Sequence, residues 1–256
     1  MKNEYNQMVH MKEFKKQIME LLQQKLSVYG FKKKKQDLLI RTVKEGNVVQ
    51  ILAFGFAHEG RNRISISITV GVIYKNINDE GIKFGKADHL VYYNPMECSQ
   101  IGDLMPQKGY YDWYFELNGD SQAIEKNVRD MVFTTIEYGF PYLEMLSNEE
   151  NLINEIDRTS TTNYKGRIIP IIYHMRNEKE RALQYIEKSI KEISKGFTKE
   201  DYESAKRLAG EGGYFIMVEN NALKYYMEFV ENFKRILNEE NVDSVSKENN
   251  LPDEIN

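Results

Sequence analysis

The amino-acid sequence predicts an α+β fold: a mainly antiparallel sheet of about four to five strands packed on helices, followed by a C-terminal helical subdomain. Three observations predict it. Ile64, Ile66, Ile68, Val70 and Val72 alternate with Ser65, Ser67, Thr69 and Gly71, so one strand has a greasy face and a small polar face. An amphipathic helix precedes that region, with Met11, Phe14, Ile18, Leu21, Leu22, Leu26 and Tyr29 at three- and four-residue steps. From Ser121 onward the periodicity becomes helical and stays so.

The helix is expected over residues 9–29, with 1–8 unstructured. Gly30 is placed to end it in the left-handed conformation, with Phe31 folding back on Leu26. A first strand is expected over 31–43, beginning with Lys32, Lys33, Lys34 and Lys35 and continuing through Arg41. Glu45-Gly46-Asn47 supplies hairpin chemistry. The second strand, 48–57, puts Val48, Gln50, Leu52, Phe54 and Phe56 on the helix side and small residues opposite. The third strand spans 63–75. Residues 75–111 read as a long irregular segment with a short β-like piece at 90–93, too aromatic for simple disorder. A further strand is expected over 112–117, where Trp113, Phe115 and Leu117 share a side.

Asp120 or Ser121 caps the next helix, whose stripe is Ile124, Val128, Met131, Val132, Thr135 and Ile136. Pro141 kinks it or starts another. Residues 148–157 form a second helix, and 159–163 are polar enough for a linker. Paired helices follow at 168–174 and 180–194. A capping-box helix is expected from Thr198, broken at Gly210-Glu211-Gly212-Gly213, and a last helix over 221–237. The implied domains are an α+β unit at 1–158, a helical unit at 159–238 and a disordered acidic tail at 239–256.

Composition narrows the function classes. Net charge is -4, with 29% charged and 41% apolar residues, as in ordinary globular proteins. Cys98 is the one cysteine, which excludes an intramolecular disulfide and suits a reducing cytosol, so a cytoplasmic location is expected. The first residues have no apolar block of signal-peptide length, and no run approaches the roughly 20 apolar residues of a membrane span, so no membrane partner is expected. Charge is segregated: residues 11–45 hold ten Lys or Arg against four acids, and 239–256 hold six acids and one lysine.

No motif announces a reaction. His10, His58, His89 and His174 stand apart from one another, Cys-x-x-Cys is absent, and no metal or other cofactor is expected. Gly210-Glu211-Gly212-Gly213 lacks the Lys-Ser/Thr of a phosphate loop. Cys98 shows no base beside it and reads as an inert thiol. Asp103 and Asp112 flank an aromatic loop, either as a carboxylate site or as loop architecture. Tyr92, Tyr93, Tyr110, Tyr111, Trp113 and Tyr114 form an aromatic cluster, either binding anchors or a tyrosine-rich rim without a partner. Lys33, Lys35 and Arg41, with Arg61 and Arg63, are candidates for a basic face toward phosphate groups or an acidic protein.

The helix, then Gly30-Phe31-Lys32-Lys33, Arg41, the alternating residues 68–72, the run Ile101-Gly102-Asp103-Leu104-Met105-Pro106 and Asp112-Trp113-Tyr114 together resemble the DUF4304 family over about residues 10–150. The resemblance implies a compact α+β domain of bacterial cytosolic proteins without an established activity, loosely associated with toxin–immunity neighbourhoods. It does not extend to the C-terminal helices.

The leading expectation is a cytosolic bacterial protein-binding module of immunity type, with a protein partner, rather than an enzyme. Tyr110 and Tyr111 are its expected exposed anchors. The alternative is a hydrolase or nucleotide-processing enzyme whose site assembles only in the fold. A nucleic-acid module using the basic strand is the weaker alternative, because the lysine run lacks stacking aromatics and the chain is acidic overall. No nucleic-acid binding is expected at physiological salt. A gel shift that weakens steeply with salt and disappears when Lys32–Lys35 become glutamines would overturn that expectation.

Overall fold

The alternating run becomes the centre of a six-stranded antiparallel sheet. The computed structural model describes residues 2–60, 62–85, 95–159, 165–195 and 221–248. The chain divides into two compact units, one of residues 1–76 and 90–155, the other of 77–89 and 156–256. The fold is α+β. The expected β-like piece at 90–93, His89, Arg61, most of the linker at 159–163, the capping-box helix with its glycine breaker, and the end of the acidic tail lie outside the described residues.

The first unit begins with α1 (Lys2–Ser27), which starts seven residues earlier than the periodicity implies. Its end follows the sequence reading. Gly30 has φ +86°, its N–H donates to Ser27, and the Phe31 N–H donates to Leu26. Phe31 and Leu26 are both fully buried.

The single strand expected over 31–43 is instead a hairpin. β1 (Lys32–Lys35) pairs antiparallel with β2 (Leu38–Val43), and the register slips between Lys33 and Lys35. Gln36-Asp37 turns the chain, and the bulge at the lysine run supplies the extra bend. β3 (Val48–Glu59) and β4 (Arg63–Tyr74) then run side by side for their whole length, from Val48↔Tyr74 to Glu59↔Arg63. The turn before β3 is a single 3-10 turn at Lys44–Gly46, with Lys44, Glu45 and Gly46 all at positive φ.

Cross-strand partners share a face. Val48, Gln50, Leu52 and Phe54 therefore lie with Tyr74, Val72, Val70 and Ile68 in one buried layer. Gly55, Ala57, Ser65 and Ser67 occupy the opposite face, as the alternation predicts.

Residues 75–111 depart most from expectation. The first part is α2 (Lys75–Lys83), whose Ile77 and Gly81 are buried in the second unit. Next comes β5 (Glu97–Gln100), then the short helix α3 (Ile101–Leu104). β6 (Trp113–Glu116) follows where predicted. β5 pairs with residues 69–72 of β4 and β6 with residues 63–66, both antiparallel on the same edge. They form one strand line interrupted by the excursion 101–112.

The covering helices are α4 (Ser121–Thr134), a π-helical turn (Thr135–Gly139) and α5 (Phe140–Leu146). Asp120 caps α4, its carboxylate accepting the Ala123 N–H at 2.7 Å. Ile124, Val128, Met131 and Val132 are buried as read from the stripe. A π turn adds one residue to the helical cycle, and Pro141 sits at the start of the resumed helix, where its missing N–H is tolerated. A Cβ built at Gly139 would lie 3.2 Å from Ile101 Cδ1 and 3.3 Å from Val70 Cγ1, so the turn lies directly on the sheet. α6 (Glu149–Thr159) completes the series.

In the second unit, α7 (Ile168–Met175) and α8 (Lys179–Ser194) form a helix pair, with Ala182 and Ile186 buried. α9 (Asn221–Glu248) continues past residue 237 and into the stretch expected to be a disordered tail. Its Tyr226, Phe229, Val230, Phe233 and Leu237 are buried.

Ile68 is fully buried in the middle of β4. Ile68→Asp places an unpaired carboxylate there and is expected to cost at least about 4 kcal/mol. A chemical-denaturation midpoint unchanged by that substitution would contradict the burial assignment.

Candidate functional site: an aromatic rim on the sheet edge

The excursion between β5 and β6 carries Tyr110, Tyr111 and Asp112 and leads into Trp113 and Tyr114. Ile101 is buried against the sheet and anchors its start. Gly102 sets its path. A Cβ at this position would lie 2.1 Å from the Gly109 carbonyl oxygen and 2.9 Å from Tyr111 Cβ, so only glycine lets the loop fold back this closely. The Lys108 N–H donates to the Met105 carbonyl at 3.0 Å, and Lys108 and Gly109 both take positive φ to close the turn.

The returning segment is pinned by ordered contacts. Trp113 is buried and its indole N–H donates to Asp130 at 2.7 Å. Tyr111 packs edge-on against Trp113, with ring centroids 4.9 Å apart. The Tyr114 carbonyl accepts a hydrogen bond from the Asn127 amide at 2.8 Å. The Leu117 N–H closes the far end on the Asn62 carbonyl.

Two rings are left facing outward from this frame. Tyr110 is 76% exposed and Tyr114 is 47% exposed. The Tyr110 hydroxyl donates to Asp112 at 2.6 Å, which fixes a ring that packing does not hold. That bond, with the Asp112 charge behind it, pushes the Tyr110 phenol up to about 12. Arg63 stands over the Tyr114 ring with its guanidinium carbon 5.0 Å from the centroid. The rim is thus two tyrosines in fixed poses beside a cation and a carboxylate.

The other sequence candidates sort by position. Tyr111 is half-buried and supports the rim from beneath, so the expectation that it stands exposed beside Tyr110 is corrected: its ring is taken up by Trp113. Asp103 is exposed on α3. No group of three or more His, Cys, Asp or Glu able to hold a metal occurs among the described residues. Lys33 and Lys35 are exposed on β1.

Arg41 faces inward rather than contributing to a basic surface. Its guanidinium lies 4.9 Å from the rings of both Phe31 and Phe140. Its Nε donates to Gln50 at 2.7 Å and its Nη1 to the Tyr29 carbonyl at 3.1 Å. Burial lowers its pKa, and the Glu144 charge partly restores it. Gln50, fully buried, passes the chain of bonds to Ser147 at 2.9 Å. Arg41 ties the first hairpin to α5.

One pairing escaped the sequence reading. In the second unit, His174 Nε2 lies 3.5 Å from Glu80 Oε1, and Lys83 holds the other oxygen of Glu80 at 2.6 Å. Phe84 and Phe233 flank the imidazole edge-on. No local signal links positions 80 and 174. Only the apolar stripes of α2 and α7 point to their meeting.

No helix among the described residues is long and apolar enough to cross a membrane. No protein-family model matches the chain, and no curated protein or solved structure matches it.

Two measurements test the rim. Gly102→Ala must push the loop off α3 and is expected to cost about 2 kcal/mol. It should also shift the emission of Trp113, the one tryptophan in the chain; an unchanged melt and spectrum would mean that the loop is not held there. The Tyr110 phenol is neutral when bound to Asp112, so its bond persists as pH rises and is lost only through about 12. The ultraviolet titration of the native protein minus that of Tyr110→Phe should place this ionisation well above the ordinary tyrosine range, and Asp112→Asn should lower it.

Proposed function

We propose that this chain is a protein-binding module whose contact surface is the rim around Tyr110 and Tyr114. The observation that carries the reading is that Tyr110 is largely exposed and yet held by a 2.6 Å bond to Asp112. Folding gains little from an exposed ring. Binding gains more, because an amphipathic ring fixed in advance loses little freedom on contact. Arg63 over Tyr114 adds a second residue type common at binding hot spots. The narrower immunity-type reading rests on the resemblance to the DUF4304 family alone, and it makes the partner a toxin from the same genetic neighbourhood.

A hydrolase or nucleotide-processing activity is the second reading. Glu80 beside His174 favours it, since a carboxylate next to an imidazole is a common way to orient a general base.

The deciding variant is Tyr110→Ala with Tyr114→Ala, because both rings are exposed and Tyr111 is not. The pair should change stability by no more than about 0.5 kcal/mol per site. It should weaken a partner isolated with the native protein by at least about tenfold, or 1.4 kcal/mol. Full retention of that partner by the folded variant would move the contact surface elsewhere. Loss of a hydrolytic activity in His174→Asn, with partner capture intact, would favour the enzyme reading.

A further inference from the structure

A second exposed surface lies at the opposite edge of the same sheet from the rim, since β1 ends the strand order on one side and β6 borders β4 on the other. All four lysines of β1 are exposed. The strand has no apolar residue and buries nothing, so its lysines do not serve the core. Among the described residues no ion pair engages Lys32, Lys33 or Lys34. Arg41, the nearest other cation in sequence order, is bound to Gln50 and Tyr29. The exposed charge here is therefore a cluster of ammonium groups without a guanidinium fork.

Lysines on an edge strand also protect it from pairing with other chains, and the bulge between Lys33 and Lys35 helps in the same way. Edge protection does not account for the neighbouring turn. Val28 is 79% exposed and Tyr29 is 40% exposed, immediately before Gly30 and β1. An apolar pair is a poor choice for keeping a surface clear of other chains. The Tyr29 ring is held by edge-on contact with Phe140 at 5.3 Å, and its carbonyl by Arg41. An apolar step whose Tyr29 ring is held in place therefore ends three positions before three ammonium groups that no ion pair engages among the described residues.

We propose that Val28, Tyr29, Lys32, Lys33 and Lys34 form a docking site for an acidic peptide segment that carries an apolar residue beside its carboxylates. Charge complementarity selects the acidic segment. The apolar step selects against a bare polyanion, because Val28 gives a phosphate nothing. The register refines the match. Lys32 pairs with Ile40 and Lys33 with Leu39, so these two lysines point to opposite faces of the ribbon. A segment with consecutive acids, wrapped over the ribbon edge, reaches both. A phosphate backbone lying on one face does not. The site is separate from the tyrosine rim and does not depend on it.

The test uses the full chain and fluorescence anisotropy with three labelled probes. One is a peptide of alternating Glu-Glu-Leu blocks, one is its Gln-Gln-Leu counterpart, and one is a single-stranded oligonucleotide of equal charge. The Glu-Glu-Leu peptide should bind and the Gln-Gln-Leu peptide should not. Binding should weaken steeply between about 50 mM and about 300 mM salt as the charges are screened. Lys32→Gln, Lys33→Gln and Lys34→Gln combined should reduce affinity at least about tenfold with an unchanged melt, and Val28→Ser alone should reduce it several-fold. Equal binding of both peptides, no binding of the acidic one, or indifference to the lysine substitutions would overturn the proposal. So would tighter binding of the oligonucleotide that ignores Val28→Ser, which would make this a nucleic-acid surface. Should the triple variant fail to fold, the native protein's preference between the two peptides and its salt response decide the matter alone.

Discussion

The first unit depends on one ladder, the antiparallel pairing of β3 with β4 from Val48↔Tyr74 to Glu59↔Arg63. Alternate rungs, such as Leu52↔Val70, Phe54↔Ile68 and Phe56↔Ile66, place a large residue of one strand beside a large residue of the other, so a slip by one position would carry the whole apolar set to the wrong face. The register is thus fixed by burial of Leu52, Phe54, Ile66, Ile68 and Val70 more than by the turn that joins the strands. Every other strand borrows its position from this pair. β2 lies along β3, while β5 and β6 share the far edge of β4. α4, the π turn and α5 supply buried side chains from the helical side, and Gly139 sits where an added Cβ would press on Ile101 Cδ1 at 3.2 Å and Val70 Cγ1 at 3.3 Å.

Much of this frame was legible because it depends on local periodicity. The alternation at 64–72, the stripe of α4 and the Gly30 helix end all repeat a rule within a few residues. What stayed hidden depends on contacts distant in sequence or on residues with two readings. The lysine run looks like the start of one strand through residue 43, yet the turn at Gln36-Asp37 ends it, and no hydrophobic pattern marks the break. The α2 sequence has the Asn, Asp and Gly of a turn and still forms a helix, because Ile77 and Phe84 find apolar neighbours. β5 is four residues with no alternation. Its place is set by Gly71, where a side chain would run into the Glu97 carbonyl and Cys98 Cβ.

The candidate sites divide in the same way. The aromatic cluster was visible as composition, but which rings face outward was not. Tyr110 and Tyr111 are neighbours in sequence with opposite fates, one fixed by Asp112 and the other taken up by Trp113. Arg41 looked like part of a basic surface because its neighbours are lysines, but two phenylalanine rings and a buried glutamine hold it inward. Side chains with both charge and a flat face can be claimed by either environment, and only the fold decides.

The interrupted line of β5 and β6 has a consequence for variation. Gln100 and Trp113 pair with Thr69 and Ile66, so the excursion leaves and rejoins β4 three residues apart, roughly 10 Å at a strand's rise. Its two feet stand on the same strand, and its length is not prescribed by the distance it must span. Doubling such a loop costs only about 0.6 kcal/mol in closure entropy. Insertions and exchanges here would leave the ladder untouched, so the tip can be rewritten while the feet stay where they are. The architecture behaves as a holder for an interchangeable cassette, a loop whose content is uncoupled from the strands that carry it.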